Sequence, residues 1–351
     1  MNRSRRLPAA LALTVLVVVG GCTASARNGS APAGRSSRGN PTAAGATSPS
    51  TARSPGQAER IRLRGRVAFA ADRRGNVDIQ QLDLPGGGLR RLTTSPAADL
   101  SPTWAPDGRR LAFRSDRDGN DDIYLMNADG SGQHNLTRDG GSDYSPAWSP
   151  DGKQLAFATG RADQTGSDVW LMGADGSHSR PLVHQRGIDE YPVWSPDGSR
   201  LAFSCTLGDI LPSRVGDFEI CVVNVDGSGL RRITDTPGIS AAGGWSGDGT
   251  RIVFASSREQ EPDGVSPCGD IFMVDAAGSR LVKLTNGPGR DCQPSFTPDG
   301  RHILFSSDRA RPGGDSDLYV MHPDGSAITR LTHADSEEQE PALMPCKGAC
   351  P

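Results

Sequence analysis

Pro146-Ala147-Trp148-Ser149-Pro150-Asp151-Gly152 is the stretch that decides the fold, because close copies of it recur along the chain. The copies occupy residues 102–108, 192–198, 243–249 and 294–300. Their aromatic third letters stand at 104, 148, 194, 245 and 296, so they are 44, 46, 51 and 51 residues apart. A period of about 40 to 50 residues is typical of propellers and solenoids.

Each period contains four short β-rich runs separated by turn residues. In the period that starts at Trp104, the later runs are 111–113, 122–126 and 135–137. Pro, Asp and Gly between such runs are typical of short strands joined by tight turns, and no segment of the repeat has a helical pattern. In the turn at 105–108, proline fixes φ at the second position of a type I turn, and Asp and Gly suit the next two. Each period is therefore predicted to form one four-stranded sheet.

The positions of the copies predict six sheets arranged as the blades of a propeller. The first copy opens midway, at 67–69, and lacks the strand that carries the tryptophan, whereas residues 340–345 align with that strand. The proline two places before each tryptophan position cannot donate to a strand ladder, so this strand is expected at a sheet edge on the inner rim. We predict an all-β, six-bladed β-propeller over residues 61–351. Its blade 1 is closed by the C-terminal strand, which removes the free edges of an open sheet.

The repeated series resembles a known family. Trp-Ser-Pro-Asp-Gly, Leu-Ala-Phe, Asp-Ile-Tyr-x-Met, Ala-Asp-Gly and Leu-Thr are similar to the repeats of the TolB-type six-bladed propeller, and the resemblance covers everything after residue 60. Propellers of this type serve in TolB itself, in proteins without a Tol-Pal system, and as the lid of prolyl-oligopeptidase-like enzymes, so the resemblance implies a fold more directly than a function. TolB also carries an N-terminal α/β domain, for which residues 23–60 are short and polar.

The first 60 residues have the composition of an export signal followed by a tether. A basic start precedes the apolar run 7–19, which is too short to be a permanent membrane span. Small residues before Cys22 resemble a bacterial lipoprotein signal, so we predict a signal peptide over 1–21 and lipidation of Cys22; an ordinary signal peptide with an incidental cysteine is the alternative. Residues 22–60 are predicted to be a flexible linker. We therefore expect an exported protein, lipid-anchored to the cell envelope at the outer face of the plasma membrane or in the periplasm.

The propeller region is acidic. The whole chain has a formal charge of −3. The signal holds three arginines and the tether holds five arginines and one glutamate, which together contribute about +7. Residues 61–351 therefore carry a formal charge of about −10. A domain that binds nucleic acid is expected to be basic. The expected partners are therefore a protein and, through the N-terminal lipid, a membrane, and no nucleic acid.

Six cysteines remain after Cys22, and an even number in an exported protein predicts three disulfides. The pairs favoured by position in the blades are Cys205 with Cys221, Cys268 with Cys292, and Cys346 with Cys350. A zinc site is less favoured, because the chain has no Cys-x-x-Cys pair and no histidine close to these cysteines in sequence.

Three repeated features are interpreted mainly as structural. The tryptophans are expected to pack between blades, where burial of each contributes up to about 4–6 kcal/mol. An acidic residue opens each third strand and an arginine precedes it in most blades, which predicts an ion pair between the two. The acidic residues are Asp78, Asp122, Asp168, Glu219, Asp270 and Asp317, and the arginines are Arg73, Arg117, Arg161, Arg258 and Arg309. The loop 116–122 also resembles part of a calcium loop, but it lacks the distal glutamate of such loops. We therefore expect no cofactor, and bound Ca²⁺ is the alternative.

A second acidic position is the candidate functional site. It lies five residues before each tryptophan position and comprises Asp99, Asp143, Asp189, Ser240, Asp291 and Glu338. The strand order places all six at one mouth of the central channel, where like charges need a cation, backbone donors or a basic partner. Either each aspartate caps its own loop, or the ring forms a mouth that binds a partner or a cation.

No catalytic constellation is evident in the sequence. There is no Gly-x-Ser-x-Gly elbow, no Gly-rich phosphate loop and no His-Glu-x-x-His motif, and the six histidines share no register. We therefore favour a non-catalytic protein-binding or scaffold propeller. The alternatives are a TolB-like accessory of envelope transport or assembly, and a lyase- or hydrolase-type propeller with a channel site.

Overall fold

The computed structural model describes residues 61–345 except 74, 139, 161–165, 186, 207–217, 236–237, 260–266 and 334. The predicted signal peptide, Cys22, the linker 22–60 and the pair Cys346 and Cys350 lie outside the described residues. Within them, no helix is long and apolar enough to cross a membrane.

The described residues form six four-stranded antiparallel sheets, which are the blades of a propeller. Blade 1 contains β1 (Gly65–Asp72), β2 (Val77–Leu84) and β3 (Leu89–Arg91). Blade 2 contains β4 (Asp99–Trp104), β5 (Arg110–Ser115), β6 (Asp122–Asn127) and β7 (His134–Asn135). Blade 3 contains β8 (Ser142–Trp148), β9 (Gln154–Gly160), β10 (Asp168–Gly173) and β11 (Arg180–Pro181).

The second half of the chain repeats this arrangement. Blade 4 contains β12 (Asp189–Trp194), β13 (Arg200–Cys205), β14 (Glu219–Asn224) and β15 (Arg231–Arg232). Blade 5 contains β16 (Ser240–Trp245), β17 (Arg251–Ser256), β18 (Asp270–Asp275) and β19 (Leu281–Lys283). Blade 6 contains β20 (Asp291–Phe296), β21 (Ile303–Ser307), β22 (Asp317–Met321) and β23 (Thr329–Arg330), and β24 (Glu338–Leu343) completes blade 1.

The tail strand β24 closes the ring as the sequence predicts. It pairs antiparallel with β1, with Val67 opposite Leu343 and Ala71 opposite Glu338. The first strands of successive blades lie against one another all the way around the channel, β24 between β20 and β4. The six-bladed, all-β prediction is confirmed.

The repeated tryptophans join neighbouring blades. Trp104 donates its indole N–H to the carbonyl of Ala342 at 3.1 Å, and Trp194 and Trp245 donate in the same way to Ala147 and Val193 of the preceding blades, each at 3.1 Å. Trp104, Trp148 and Trp245 are buried, so the predicted packing role is confirmed for them. The acceptor on Ala342 shows that β24 occupies the same place as every other tryptophan strand.

Each inner strand has a β-bulge at the position that proline occupies in five of the six strands and Gly243 in blade 5. The residue before it has a left-handed backbone in five of the six described inner strands, with φ between 49° and 57°. These residues are Ser101, Ser145, Tyr191, Gln293 and Glu340. Because a bulge leaves one residue out of the ladder, it admits a residue with no N–H to donate and turns its neighbours toward the channel.

Turn and loop residues fix the rest of each blade. In the Pro-Asp-Gly turns the aspartate accepts the N–H two residues later, as Asp107 does from Arg109 at 2.9 Å. The threonine of the Leu-Thr motif accepts the N–H of a third-strand residue, for example Thr137 from Ile123 at 3.0 Å. These bonds satisfy backbone donors that the short fourth strands leave unpaired.

Candidate functional site on the loop face

We call the face where the inner strands begin the loop face, because the second hairpin of each blade and the blade-to-blade crossings also lie there. The six predicted mouth residues all occupy the first or second position of an inner strand at this face. Their side chains are not open to the channel mouth, however, since every one of these residues is at most 3% exposed. The residues are Asp99, Asp143, Asp189, Ser240, Asp291 and Glu338.

In three blades an arginine of the same blade binds the buried carboxylate. Arg117 lies 2.8 Å from Asp99 and Arg309 lies 2.6 Å from Asp291, while Arg73 lies 3.6 Å from Glu338. We call this unit the arginine clip: the acid that opens the first strand and the arginine that follows the second strand. All six predicted mouth residues are buried rather than open to the channel, and their role in binding a partner or a cation stays a prediction.

The clip arginine is also held by aromatic rings and a serine. The Arg117 guanidinium lies 4.6 Å from the centre of the Tyr124 ring and 5.5 Å from that of Phe113. Its Nε donates to Ser115 at 2.9 Å. A guanidinium suits this position because it stacks on aromatic faces and donates in a fixed plane.

The third-strand acids have other partners than the sequence predicts. They bind side chains of the fourth strand or the residues just after it, rather than the clip arginines. The pairs are Asp78 with Arg91, Asp122 with Asn135, Asp168 with His184, Glu219 with Thr234, Asp270 with Lys283, and Asp317 with Arg330. Sequence order places both acids near the arginine, but only the first-strand acid lies across from it.

In blade 3, Asp143 has the acid position of the clip. Asp143 is fully buried, and neither carboxylate oxygen has a hydrogen-bond partner among the residues that the structure describes. Burial raises the pKa of this carboxyl. Arg161, which has the clip position in sequence, lies outside the described residues.

In blade 4 no arginine of the described residues binds the acid. Asp189 accepts only long bonds from Gln185, at 3.4 Å to each oxygen, among the described residues. Burial raises the pKa of Asp189 to about 7. In blade 1, burial likewise raises the pKa of Glu338 to about 7, in line with its longer distance to Arg73.

A second polar group, below the clips on the channel wall, has no counterpart in the sequence predictions. Glu340 of blade 1 accepts from the N–H and hydroxyl of Ser101 in blade 2. Glu190 of blade 4 accepts from the Tyr144 hydroxyl of blade 3 at 2.8 Å. Burial raises the pKa of both glutamates, and the charge of Arg114 opposes this. These bonds join the inner strands of adjacent blades along the channel wall.

A sequence signal for this channel group does exist. Five of the six copies have proline and five have an aromatic residue two places later, but the two residues before the proline position differ in every copy: Leu-Ser, Tyr-Ser, Glu-Tyr, Ala-Ala, Cys-Gln and Gln-Glu. Positions that vary inside an otherwise constant repeat are those that the scaffold does not fix. The bulge explains why these residues face the channel.

Metal ligands do not converge within the described residues, where no group of three or more His, Cys, Asp or Glu side chains could hold an ion. In the calcium-like loop, Asp116 accepts from the Ala98 N–H and Asp121 binds Arg114 at 2.6 Å. Asp118 binds Tyr124. These carboxylates point to separate partners.

Two clefts lie at the seam of blades 6 and 1, away from the channel wall group. One of about 570 Å³ is lined by Asp72, Arg73, Arg91, Asp335 and Ser336. The other, of about 340 Å³, is lined by Arg73, Leu82, Leu89, Leu331, Thr332, His333 and Glu338. Arg73 and Glu338 therefore belong both to a clip and to a cleft wall.

Two of the three expected disulfides lie within the described residues. Cys205 and Cys221 are bonded within blade 4, and Cys268 of blade 5 is bonded to Cys292 on the first strand of blade 6. The second bond fastens one blade to the next at the loop face.

Six four-stranded sheets around a channel, with the last strand of the chain in the first sheet, define a six-bladed β-propeller. Residues 64–145 and 263–349 match the TolB beta propeller domain family. The chain therefore carries a propeller of the TolB type.

Individual proteins resemble this chain over different lengths. The Tol-Pal system protein TolB of Bordetella pertussis is 45% identical over 56 residues, which is 16% of this chain and 12% of that protein. The first curated relatives are matched over only 27% and 12% of their own lengths. The crystal structure of TolB from Acinetobacter baumannii superposes with a TM-score of 0.66 at 23% identity, covering 80% of this chain and 66% of that one.

The same fold occurs in an enzyme. An oligogalacturonate lyase solved with manganese superposes with a TM-score of 0.53 at 16% identity, covering 77% of this chain and 74% of the lyase. At such identities the likeness concerns the fold alone, so function must be argued from this chain's own residues.

Proposed function

We propose that this protein is a membrane-anchored, extracytoplasmic propeller that acts as a non-catalytic protein-binding module through its loop face. The contrast between its two faces carries the proposal. The opposite face consists of short turns of nearly uniform length, each closed by its own hydrogen bonds, as at Asp107 and Asp151. The loop face has connections of unequal length on a rigid ring, which is where binding residues are usually found.

The exposed charges of the loop face favour a partner with a basic surface. Among the described residues, six acidic side chains are exposed on its hairpins and crossings, and they are Asp116, Asp118, Asp235, Glu259, Asp315 and Asp335. Exposed acidic side chains can steer the approach of a basic partner and set its orientation. The buried clip carboxylates hold these loops in place by binding the arginines at their start.

Two observations support a location outside the cytoplasm. The disulfides Cys205–Cys221 and Cys268–Cys292 persist in oxidising compartments. The basic start, short apolar run and Cys22 of the first 22 residues have the pattern of an export signal with a lipid acceptor. Lipidation of Cys22 is part of the proposal, and replacing Cys22 with Ser should release the protein from the membrane fraction.

Charge reversal on the loop face tests the binding role. We expect the triple variant Asp235→Lys, Asp315→Lys and Asp335→Lys to lose crosslinks to the partner that the wild type captures on intact cells. Asp235 and Asp335 are exposed and bound only to exposed arginines, so folding should be unchanged.

The matched control reverses three exposed charges on the opposite face: Arg109→Glu, Lys153→Glu and Arg301→Glu. It should keep every crosslink of the wild type. Equal crosslinking by wild type and both triple variants would refute the loop face as the binding surface.

A TolB-like role in envelope transport or assembly is the second candidate, favoured by the 45% local identity to a Tol-Pal system protein. Under this proposal, deletion of the gene should produce envelope leakage, measured as release of an extracytoplasmic reporter enzyme. An intact envelope in the deletion strain would leave the scaffold proposal standing and remove this one.

A further inference from the structure

Blade 5 has a clip in which the arginine is present and the acid is replaced. Arg258 lies over Phe254 and Phe272, at 5.0 Å and 4.8 Å from the ring centres. Its Nε donates to Ser256 at 3.0 Å, as Nε of Arg309 does to Ser307 at 3.2 Å in blade 6. The guanidinium is therefore held as in the complete clips.

Serine occupies the acid position of this clip. In blade 6, Asp291 accepts from Arg309 Nη2 at 2.6 Å and from the Ser307 hydroxyl at 2.5 Å. In blade 5, Ser240 receives Arg258 Nη2 at 3.1 Å and lies 3.0 Å from the Ser256 hydroxyl. The neutral hydroxyl of Ser240 therefore occupies the position at which, in blade 6, the carboxylate of Asp291 accepts from an arginine and a serine.

Counting hydrogens shows an excess of donors in blade 5. Whichever of Ser240 and Ser256 donates to the other, no contact within the clip takes up the second hydroxyl proton. Arg258 Nη1 is also buried without a hydrogen-bond partner among the described residues. Buried donors of this kind stabilise an acceptor placed between them.

Among the described residues, Glu219 and Glu259, whose charges act on Arg258, do not replace the missing acid. Glu259 is bound to Lys283 at 2.6 Å, and Glu219 accepts from Thr234. Burial lowers the pKa of Arg258, although the charges of Glu219 and Glu259 oppose this. A partly buried guanidinium without a bound anion is costly in free energy.

We propose that the blade 5 clip binds a small monovalent anion beside Arg258, Ser240 and Ser256, within reach of the donors that bind a carboxylate in other blades. A charge-assisted bond from Arg258 and hydroxyl bonds from the two serines would hold it. Binding at this site makes the stability of blade 5 depend on the anion present.

Bromide locates the site directly. Wild-type crystals soaked in bromide should show an anomalous peak within hydrogen-bond distance of Arg258 and Ser240, and Ser240→Asp crystals should show none there. A wild-type map without this peak at saturating bromide would overturn the proposal.

Thermal unfolding supplies an independent readout. At constant ionic strength, replacing gluconate with chloride should raise the Tm of the wild type by about 2 °C, since an anion that binds only the folded state stabilises it. Ser240→Asp supplies its own carboxylate and should lack this chloride dependence. General salt effects act equally on both proteins, so equal shifts would count against the site.

Asp291→Ser is the matched control, because it converts the blade 6 clip into the blade 5 arrangement. We expect this variant to gain a second bromide position beside Arg309 and a larger chloride shift than the wild type. A variant with no new anomalous peak would show that a serine and an arginine in a clip are insufficient to bind an anion.

Discussion

Asp189 and Asp197 show at the level of single residues how neighbours set opposite charge behaviour within one blade. Asp197 accepts from the Ser195 hydroxyl and from the N–H and hydroxyl of Ser199, and these bonds lower its pKa to about 2. Asp189 is buried without a clip arginine, and its pKa rises to about 7. Both residues are aspartates in the same repeat, so the environment alone separates them.

The raised pKa of Asp189 predicts a specific pH dependence. The folded state keeps a proton that the unfolded chain releases above about pH 4, so stability is highest at low pH and falls as pH rises toward 7. Asn cannot ionise, and we expect the stability of Asp189→Asn relative to the wild type to rise by about 4 kcal/mol between pH 4 and pH 8. Urea unfolding at both pH values measures this difference.

Asp197→Asn is the control with the opposite sign. Because its pKa is lowered in the folded state, Asp197 stabilises the protein above about pH 4 and loses this effect as pH falls through about 2. The variant should be less stable than the wild type at neutral pH and approach it in acid. Parallel pH curves for wild type and Asp189→Asn would contradict the assignment.

At the scale of strands and hairpins, blade 4 replaces the clip with a disulfide. Cys205 has the position of Ser115, the serine that binds the clip arginine, and Cys221 has that of the aromatic Tyr124. Leu207, outside the described residues, has the sequence position of Arg117. The covalent bond therefore joins the second and third strands where other blades use a guanidinium between a serine and a ring.

Removal of this disulfide should weaken blade 4 selectively. For bonded cysteines 16 residues apart, we expect the double variant Cys205→Ser and Cys221→Ser to lose about 3 kcal/mol of unfolding free energy. Hydrogen exchange should increase mainly in β13 and β14. The matched variant Cys268→Ser and Cys292→Ser should instead increase exchange at the seam of blades 5 and 6; the same pattern from both variants would contradict this assignment.

The strands were predictable from the sequence because the turn residues that separate them act locally. Proline, aspartate and glycine determine a turn within four residues, and the missing strand of blade 1 was found by counting copies. The partner of each clip arginine depends on which side chain lies across the sheet from it. Sequence order predicted the third-strand acids as partners, whereas in the structure the arginines bind the first-strand acids Asp99 and Asp291. Glu190 and Glu340 were missed because the bulge that turns them inward has no fixed letter except the proline.

At the scale of the whole molecule, ring closure depends on β24. Truncation after residue 336 would remove the acceptor of Trp104 at Ala342 and expose the edge of β1. We expect the truncated protein to lose cooperative unfolding and to aggregate, because an exposed strand edge pairs with other chains. Differential scanning calorimetry and light scattering would measure both effects.

A circular permutant separates loss of the strand from loss of chain continuity. Joining residue 345 to residue 61 through a short linker, and opening the chain between blades 6 and 1, keeps β24 beside β1. This permutant should unfold in one transition close to that of the wild type. If the truncated protein remained folded and monomeric while the permutant failed to fold, the closing strand would be shown to be dispensable.

The place of β24 also constrains how the protein is made. Residues 338–343 follow every other blade in the chain, yet they form the innermost strand of the first blade. Blades 2 to 6 can assemble while synthesis and export continue, but blade 1 must wait, with its hydrogen-bonding edge unpaired, until the tail emerges. Chaperones that protect nascent chains should therefore bind the segment around Val67 and Phe69 during biogenesis and release it when the tail arrives.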